Sequence, residues 1–153
     1  MAINRDFIGR VYTFDTPYLV GREKVREFAT AIGDQNPLFH NLEAARAAGH
    51  PDLIAPPTFP FVITYRAMIG AIGDPELNLN YAMVVHGTQQ FKYSRPLYAG
   101  DEVVVESTVA NIASAGRNEL LTMSQQVKTV DGELIVTTTN VTVSRGTAPV
   151  EEA

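Results

Sequence analysis

The chain has 153 residues, enough for one domain with a sizeable core. Its formal charge of -5 argues against nucleic acid or an anionic membrane as the main partner. It has no cysteine, which excludes disulfides and thiolate metal sites.

The opening MAINRDFIGR lacks the apolar core of a signal peptide, and no apolar run reaches the length of a membrane span. A cytoplasmic protein is the expectation. A short strand is expected around Tyr18 to Val20. Val25, Phe28, Ala29 and Ile32 then fall at i, i+3, i+4 and i+7, one stripe of an amphipathic helix that Gly33 closes. DQNPLFHN reads as a loop started by Asn36-Pro37, and LEAARAAG as a second short helix ending at Gly49. HPDLIAPP is irregular because its three prolines remove three backbone donors. Thr58 is the expected N-cap of FPFVITYRAMIGAI, with Pro60 in the first turn. That helix is apolar nearly all round, so burial on most sides is expected over roughly 20 Å. Gly73-Asp74-Pro75 ends it.

Beyond residue 80 the chain turns rich in Val, Thr, Ile and Tyr, and at least four long antiparallel strands are expected. Val103, Val105, Ser107 and Val109 should share one face. Asp131-Gly132 predicts a two-residue hairpin turn, and Ala99-Gly100-Asp101 and Ala115-Gly116-Arg117 two further reversals. Residues 1–146 form one domain and 147–153 a polar tail. An antiparallel sheet wrapped around one buried helix is an α+β solution. Its open edge strands suit a dimer with a continuous sheet.

Three stretches carry a family resemblance. GDQNPLF with the Glu43-Ala44-Ala45 that follows, and then GHPDLIAPPTF, resemble the overhanging segment and helix entry of MaoC-like (R)-specific enoyl-thioester hydratases and dehydratases. HGTQQFKYSRPLYAGDEV resembles the strand pair that comes next in that superfamily, and its His-Gly-x-Gln run is most similar to the non-catalytic half of the two-domain hydratase 2 enzymes. FIGRVYTFDTPYLVGREKVREFA looks like the acyl-binding subunit of the heterodimeric mycolic-acid dehydratase. The resemblance spans about Phe7 to Arg145. It implies the hot-dog fold and syn elimination of water from a 3-hydroxyacyl thioester, or the reverse, without a cofactor or metal. The thioester would be carried by CoA or an acyl carrier protein. In the family an Asp and a His serve as the acid/base pair, and a backbone N–H near the helix start polarises the thioester carbonyl, where negative charge develops.

The family motif Asp-x-Asn-Pro-(aliphatic)-His is matched by Asp34, Asn36 and Pro37, but Phe39 stands in the histidine's slot. His40 comes one residue later, and Glu43-Ala44-Ala45 aligns without a gap. The glycine whose N–H binds the carbonyl aligns with Pro57, which has no N–H; Phe59 or Phe61 would have to donate instead. Asp34 and His40 are therefore the catalytic candidates of a degenerate motif. Asn36, Phe39, Pro57, Thr58, Phe59, Phe61, Tyr65, His86 and Gly87 are the substrate-binding candidates. Each has a plain structural reading too. Asp34 to Pro37 can be a simple turn, His40 a loop histidine, His86 a packing residue, His50 a surface residue and the phenylalanines core. Arg66 reads as a snorkelling or paired charge that could meet a carrier phosphate, and Arg95 as the cap of a strand edge.

Three functions fit these residues. The first is a non-catalytic, acyl-binding subunit paired with a MaoC-like catalytic chain. The second is a self-sufficient homodimeric hydratase using Asp34 and His40. The third is a hot-dog protein that binds acyl thioesters without chemistry.

Overall fold

The computed structural model describes residues 1–149; residues 150–153 of the polar tail lie outside the described residues. Its strands are β1 (Val11–Leu19), β2 (Val84–Tyr93), β3 (Glu102–Ala115), β4 (Asn118–Thr129) and β5 (Leu134–Ser144). Its α-helices are α1 (Arg22–Ala31), α2 (Pro37–His40), α3 (Leu42–Ala47) and α4 (Pro60–Ile72). All five strands join one antiparallel sheet in the order β1-β3-β4-β5-β2, with α4 against one face. This is the α+β architecture expected.

The sheet follows its alternation. On β3, Val103, Val105, Ser107 and Val109 are all buried. Leu121, Met123, Gln125 and Val127 do the same on β4, and Val136, Thr138 and Asn140 on β5. These residues meet α4 in two apolar clusters. One joins Ala29, Phe39, Phe59, Ile63 and Ala67 to Val103, Val105, Val127 and Val136. The other joins Ile3, Phe7, Ala71 and Leu77 to Val109, Ile112, Leu121 and Met123. Between them runs a polar row, Ser107, Gln125 and Thr138, in register across three strands. The Gln125 amide donates to the Thr64 carbonyl of α4 (2.8 Å) and accepts from the Thr138 hydroxyl (3.1 Å) and the Asn140 amide (3.2 Å). A buried amide on β4 with partners on α4 and β5 fixes the helix against the sheet at one position.

Several elements differ from expectation. The strand expected at Tyr18 to Val20 is nine residues long, Val11–Leu19, and its register slips between Phe14 and Tyr18 around Pro17. An edge strand tolerates that proline because one side needs no ladder donor. The loop expected after Gly33 contains a helical turn, α2, capped by Asn36, whose side chain accepts the Leu38 N–H (3.1 Å). Thr58 is not the N-cap of α4. Phe59 is, without a side-chain cap, because tight i→i+3 bonds from Phe59 to Pro56 and from Phe61 to Thr58 wind the chain into the helix. As expected, α4 is buried on most sides; its exposed stripe includes Tyr65 (38%) and Ile69 (49%). The Asp131-Gly132 hairpin has a three-residue loop, Val130 to Gly132, closed by the Gly132 N–H on the Thr129 carbonyl (2.9 Å). Gly116-Arg117 makes a two-residue connection, with Ala115 paired to Asn118. The Ala99 to Asp101 reversal joins no hairpin; it lies on the crossover from β2, at one sheet edge, to β3 near the other.

Two ion-pair clamps fix the connections. Arg95 forks onto Asp101 (2.8 and 3.0 Å) and also holds Glu133 (3.0 and 3.1 Å), tying the end of β2 to the β3 start and the β4–β5 loop. This extends the strand-edge role expected of Arg95. Its carboxylate partners raise the arginine's pKa. Arg22 forks onto Asp52 (2.9 and 2.7 Å), joining the α1 start to the segment before α4. The hydrogen bonds from Arg22 hold the Asp52 carboxyl below its ordinary range. His50, expected at the surface, is half-buried, its Nδ1 3.1 Å from the Tyr98 hydroxyl. Arg66 is exposed and stacks over the Tyr18 ring at 5.5 Å. Among the described residues no helix is long and apolar enough to cross a membrane.

Candidate functional site

The first part of the site is the Asp34 to His40 turn. Gly33 ends α1 with φ at +75°, a conformation that favours glycine. The Asp34 carboxylate then accepts the Asn36 N–H (3.0 Å). The turn of α2 drives Phe39 inward, where it is only 6% exposed within the larger apolar cluster. His40 points back, and its Nε2 lies 2.8 Å from the Asp34 carbonyl oxygen. Arg26 of α1 donates to the His40 carbonyl (2.9 Å). Asp34 and His40 thus lie together, but the ring nitrogen nearest Asp34 is engaged with its backbone. The phenylalanine in the histidine's slot belongs to the core.

The second part is the helix entry. The Pro57 carbonyl accepts the Tyr93 hydroxyl (2.8 Å), and burial raises the pKa of that phenol. The N–H groups of Phe59 and Phe61, expected to replace the missing glycine donor, are already given to Pro56 (2.8 Å) and Thr58 (3.1 Å). The Thr58 N–H has no acceptor among the described residues. The free donor at the start of α4 is therefore Thr58.

The third part is edge strand β2. Its register with β5 slips between His86 and Thr88, so Gly87 is the extra residue of a bulge. A Cβ at Gly87 would lie 2.9 Å from the Val141 carbonyl oxygen and 3.1 Å from Val143 Cγ2. Only glycine lets the strand approach so closely. The bulge restores the inward phase three residues later, so His86 and Gln89 line the same groove. That groove, about 440 Å3, is walled by Phe28, Thr58, Phe61, His86, Gln89 and Phe91. The His86 ring meets Phe61 edge-on at 5.5 Å. A second hollow of about 230 Å3 shares Phe61 and His86 and continues along α4 past Tyr65 and Met68 to Ile72.

The structure therefore gathers Thr58, Phe61 and His86 in one groove and Tyr65 in its continuation. Gly87 shapes the groove from the strand behind. Asn36 caps α2, Phe59 is fully buried in edge-on contact with Phe28 (5.3 Å), and Pro57 lines a separate cavity of about 280 Å3 beside Tyr93. Phe28, Gln89 and Phe91 line the groove without having been expected there. The signal for Gln89 was the glycine two residues earlier, because a bulge there shifts the strand's phase. Among the described residues no group of three His, Asp or Glu side chains is placed to hold a metal ion. An apolar groove with a few convergent polar groups is the usual form of a small-molecule site.

A family model for the FAS1-like dehydratase domain region matches residues 6–138. A UPF0336 protein from Parafrankia sp. (strain EAN1pec) is 56% identical over 153 residues, covering 97% of this chain and 99% of its own. Among solved structures, a MaoC-like dehydratase superposes with a TM-score of 0.85 at 29% identity, covering 91% of this chain and 42% of that longer one. A C-terminally truncated HadBC (3R-hydroxyacyl-ACP dehydratase) complex from Mycobacterium tuberculosis superposes with a TM-score of 0.82 at 24% identity, covering 90% and 97%.

Proposed function

The chain belongs to the FAS1-like dehydratase-region family and has the MaoC-like hot-dog fold; from that premise we propose that it is the acyl-thioester-binding, non-catalytic subunit of a heteromeric (R)-3-hydroxyacyl-thioester dehydratase. One observation carries the proposal: Phe39, in the slot of the family's histidine, is packed in the core. Phenylalanine transfers no proton, and a core position gives no access to a substrate. Pro57 supports the same reading, since the glycine donor is gone. Losing one oxyanion donor costs about 10²–10³ in rate, and losing an acid/base group about 10²–10⁴.

In this division of labour the chain contributes the groove along α4. The aromatic walls take the acyl chain, and the free Thr58 N–H at the helix start meets the thioester carbonyl. The Asp/His pair comes from a second MaoC-like chain, with the site at their common interface in the cytoplasm. Tyr65, Ile69, Tyr81 and Val85 are exposed, and Tyr65, Tyr81 and Val85 rim the hollow beside α4 that such a partner would cover. The test is hydration of an enoyl-CoA by the reconstituted pair. Exchanging His40 for Ala in this chain should leave turnover unchanged, whereas exchanging the partner's motif histidine should abolish it. A large loss with His40→Ala would overturn the proposal.

A second reading has one observation in its favour: α2 brings His40 within 2.8 Å of the Asp34 backbone, so the two residues share one turn. A homodimeric hydratase using both would be active without a partner, and His40→Ala would silence it.

A further inference from the structure

Gln89 is a residue that the proposed binding role does not yet use. Its side-chain nitrogen and oxygen are both buried, and neither has a hydrogen-bond partner among the described residues. Directly opposite on β5 is Asn140, whose side-chain oxygen is also buried and unpaired. The Asn140 amide nitrogen is committed to Gln125 (3.2 Å) and the Met68 sulfur (3.5 Å). The Gln89 amide group and both oxygens are therefore unpaired where Gln89 joins Phe28, Thr58, Phe61, His86 and Phe91 in the groove wall, with Asn140 beside it on β5. Buried polar groups are nearly always paired, and an unpaired one destabilises the fold. A group kept in that condition suits a ligand that completes it.

The missing complement is a small group that both accepts and donates. A hydroxyl does so: it accepts from the Gln89 nitrogen and donates to the Gln89 or Asn140 oxygen. A saturated or enoyl chain offers nothing at that depth. The order of features along the groove fits one ligand. The Thr58 N–H stands at the helix entry, Gln89 on the facing wall, and the apolar hollow past Tyr65 and Met68 beyond. Resting on the acyl-binding role proposed above, we propose that Gln89, backed by Asn140, determines specificity by reading the 3-hydroxyl of a 3-hydroxyacyl thioester whose tail lies along α4. The Gly87 bulge is what turns Gln89 inward; without it, residue 88 would face the groove beside His86.

The test is binding of (R)-3-hydroxyoctanoyl-CoA and of octanoyl-CoA to the purified full chain by calorimetry. The comparison is with Gln89→Met, which keeps the length and removes both polar atoms. Gln90→Met, on the exposed outer face, is the control. The wild type should prefer the hydroxyacyl thioester about tenfold, the gain of one to two hydrogen bonds. Gln89→Met should bind both ligands alike, at the level of octanoyl-CoA, and melt no lower than the wild type because it loses no partner. A wild type without preference, a preference that survives Gln89→Met, or a lower melting temperature for Gln89→Met would each overturn the inference while leaving acyl binding intact. Binding of neither thioester would overturn the acyl-binding role itself, and the inference with it.

Discussion

At position 39 a ring that packs replaces a ring that would carry a proton, and the two demand opposite surroundings. Phe39 sits among Ala29, Phe59 and Ile63 of the core cluster. Restoring the family's histidine by Phe39→His should therefore destabilise the chain by about 2–4 kcal/mol, because an imidazole there would be buried without a partner. It should also leave enoyl-CoA hydration by the chain alone undetectable. Chemical denaturation and a hydration assay check the two parts. A variant of unchanged stability that gains turnover would show that position 39 faces substrate after all. At this scale the sequence was legible where a motif has a fixed register. Aligning Asp34, Asn36 and Pro37 was enough to find Phe39 in the wrong slot. It was not legible where the answer depended on hydrogen bonds already made. Phe59 and Phe61 looked like spare donors until the tight turns into α4 claimed them, leaving Thr58.

Between single residues and the whole molecule stand elements that set direction. The bulge at Gly87 decides which β2 side chains face α4, and β-alternation alone gives the wrong set. Gly87→Ala places a methyl 2.9 Å from the Val141 carbonyl oxygen. It should cost about 1–3 kcal/mol in a thermal or denaturant melt and weaken acyl-CoA binding as His86 and Gln89 shift. The clamps make separate predictions. Arg95→Ala releases Asp101 and Glu133 together and should cost about 1 kcal/mol after solvent screening, read as a fall in denaturation midpoint. The Arg22–Asp52 pair adds a pH dependence. Asp52 titrates lower in the folded chain than in the unfolded one, so its contribution is full above the ordinary carboxylate pKa near 4 and is lost as pH falls through the lowered folded value. The melting temperature of the wild type should exceed that of Asp52→Asn by a constant margin from about pH 8 to pH 5. The margin should shrink below about pH 4. Among the elements, the long strands and α4 were legible because their periodicities span many residues. The helical turn α2 and the Pro17 irregularity in β1 were not, since four residues carry too little periodic signal and a proline marks only that one donor is missing.

Across the whole molecule, one sheet and one central helix make a groove that is open along α4 and β2, with the motif turn on α2 nearby. The fold class was legible because alternation on β3, β4 and β5 pointed one face inward and the apolar helix supplied its cover. The groove was not, because its walls come from α1, α4 and β2, segments distant in sequence whose meeting depends on the bulge and on the tight entry into α4. The proposed division of labour, a subunit that binds while another reacts, rests on an apolar groove beside a motif that lacks the histidine in its slot and the glycine donor. The most direct measurement is the rate of enoyl-CoA hydration by the purified chain alone, and then mixed with a MaoC-like chain that carries the full Asp-x-Asn-Pro-x-His motif. The chain alone should show no turnover above the uncatalysed rate, and the mixture should turn over faster than the partner by itself. Robust hydration by this chain alone would contradict the account.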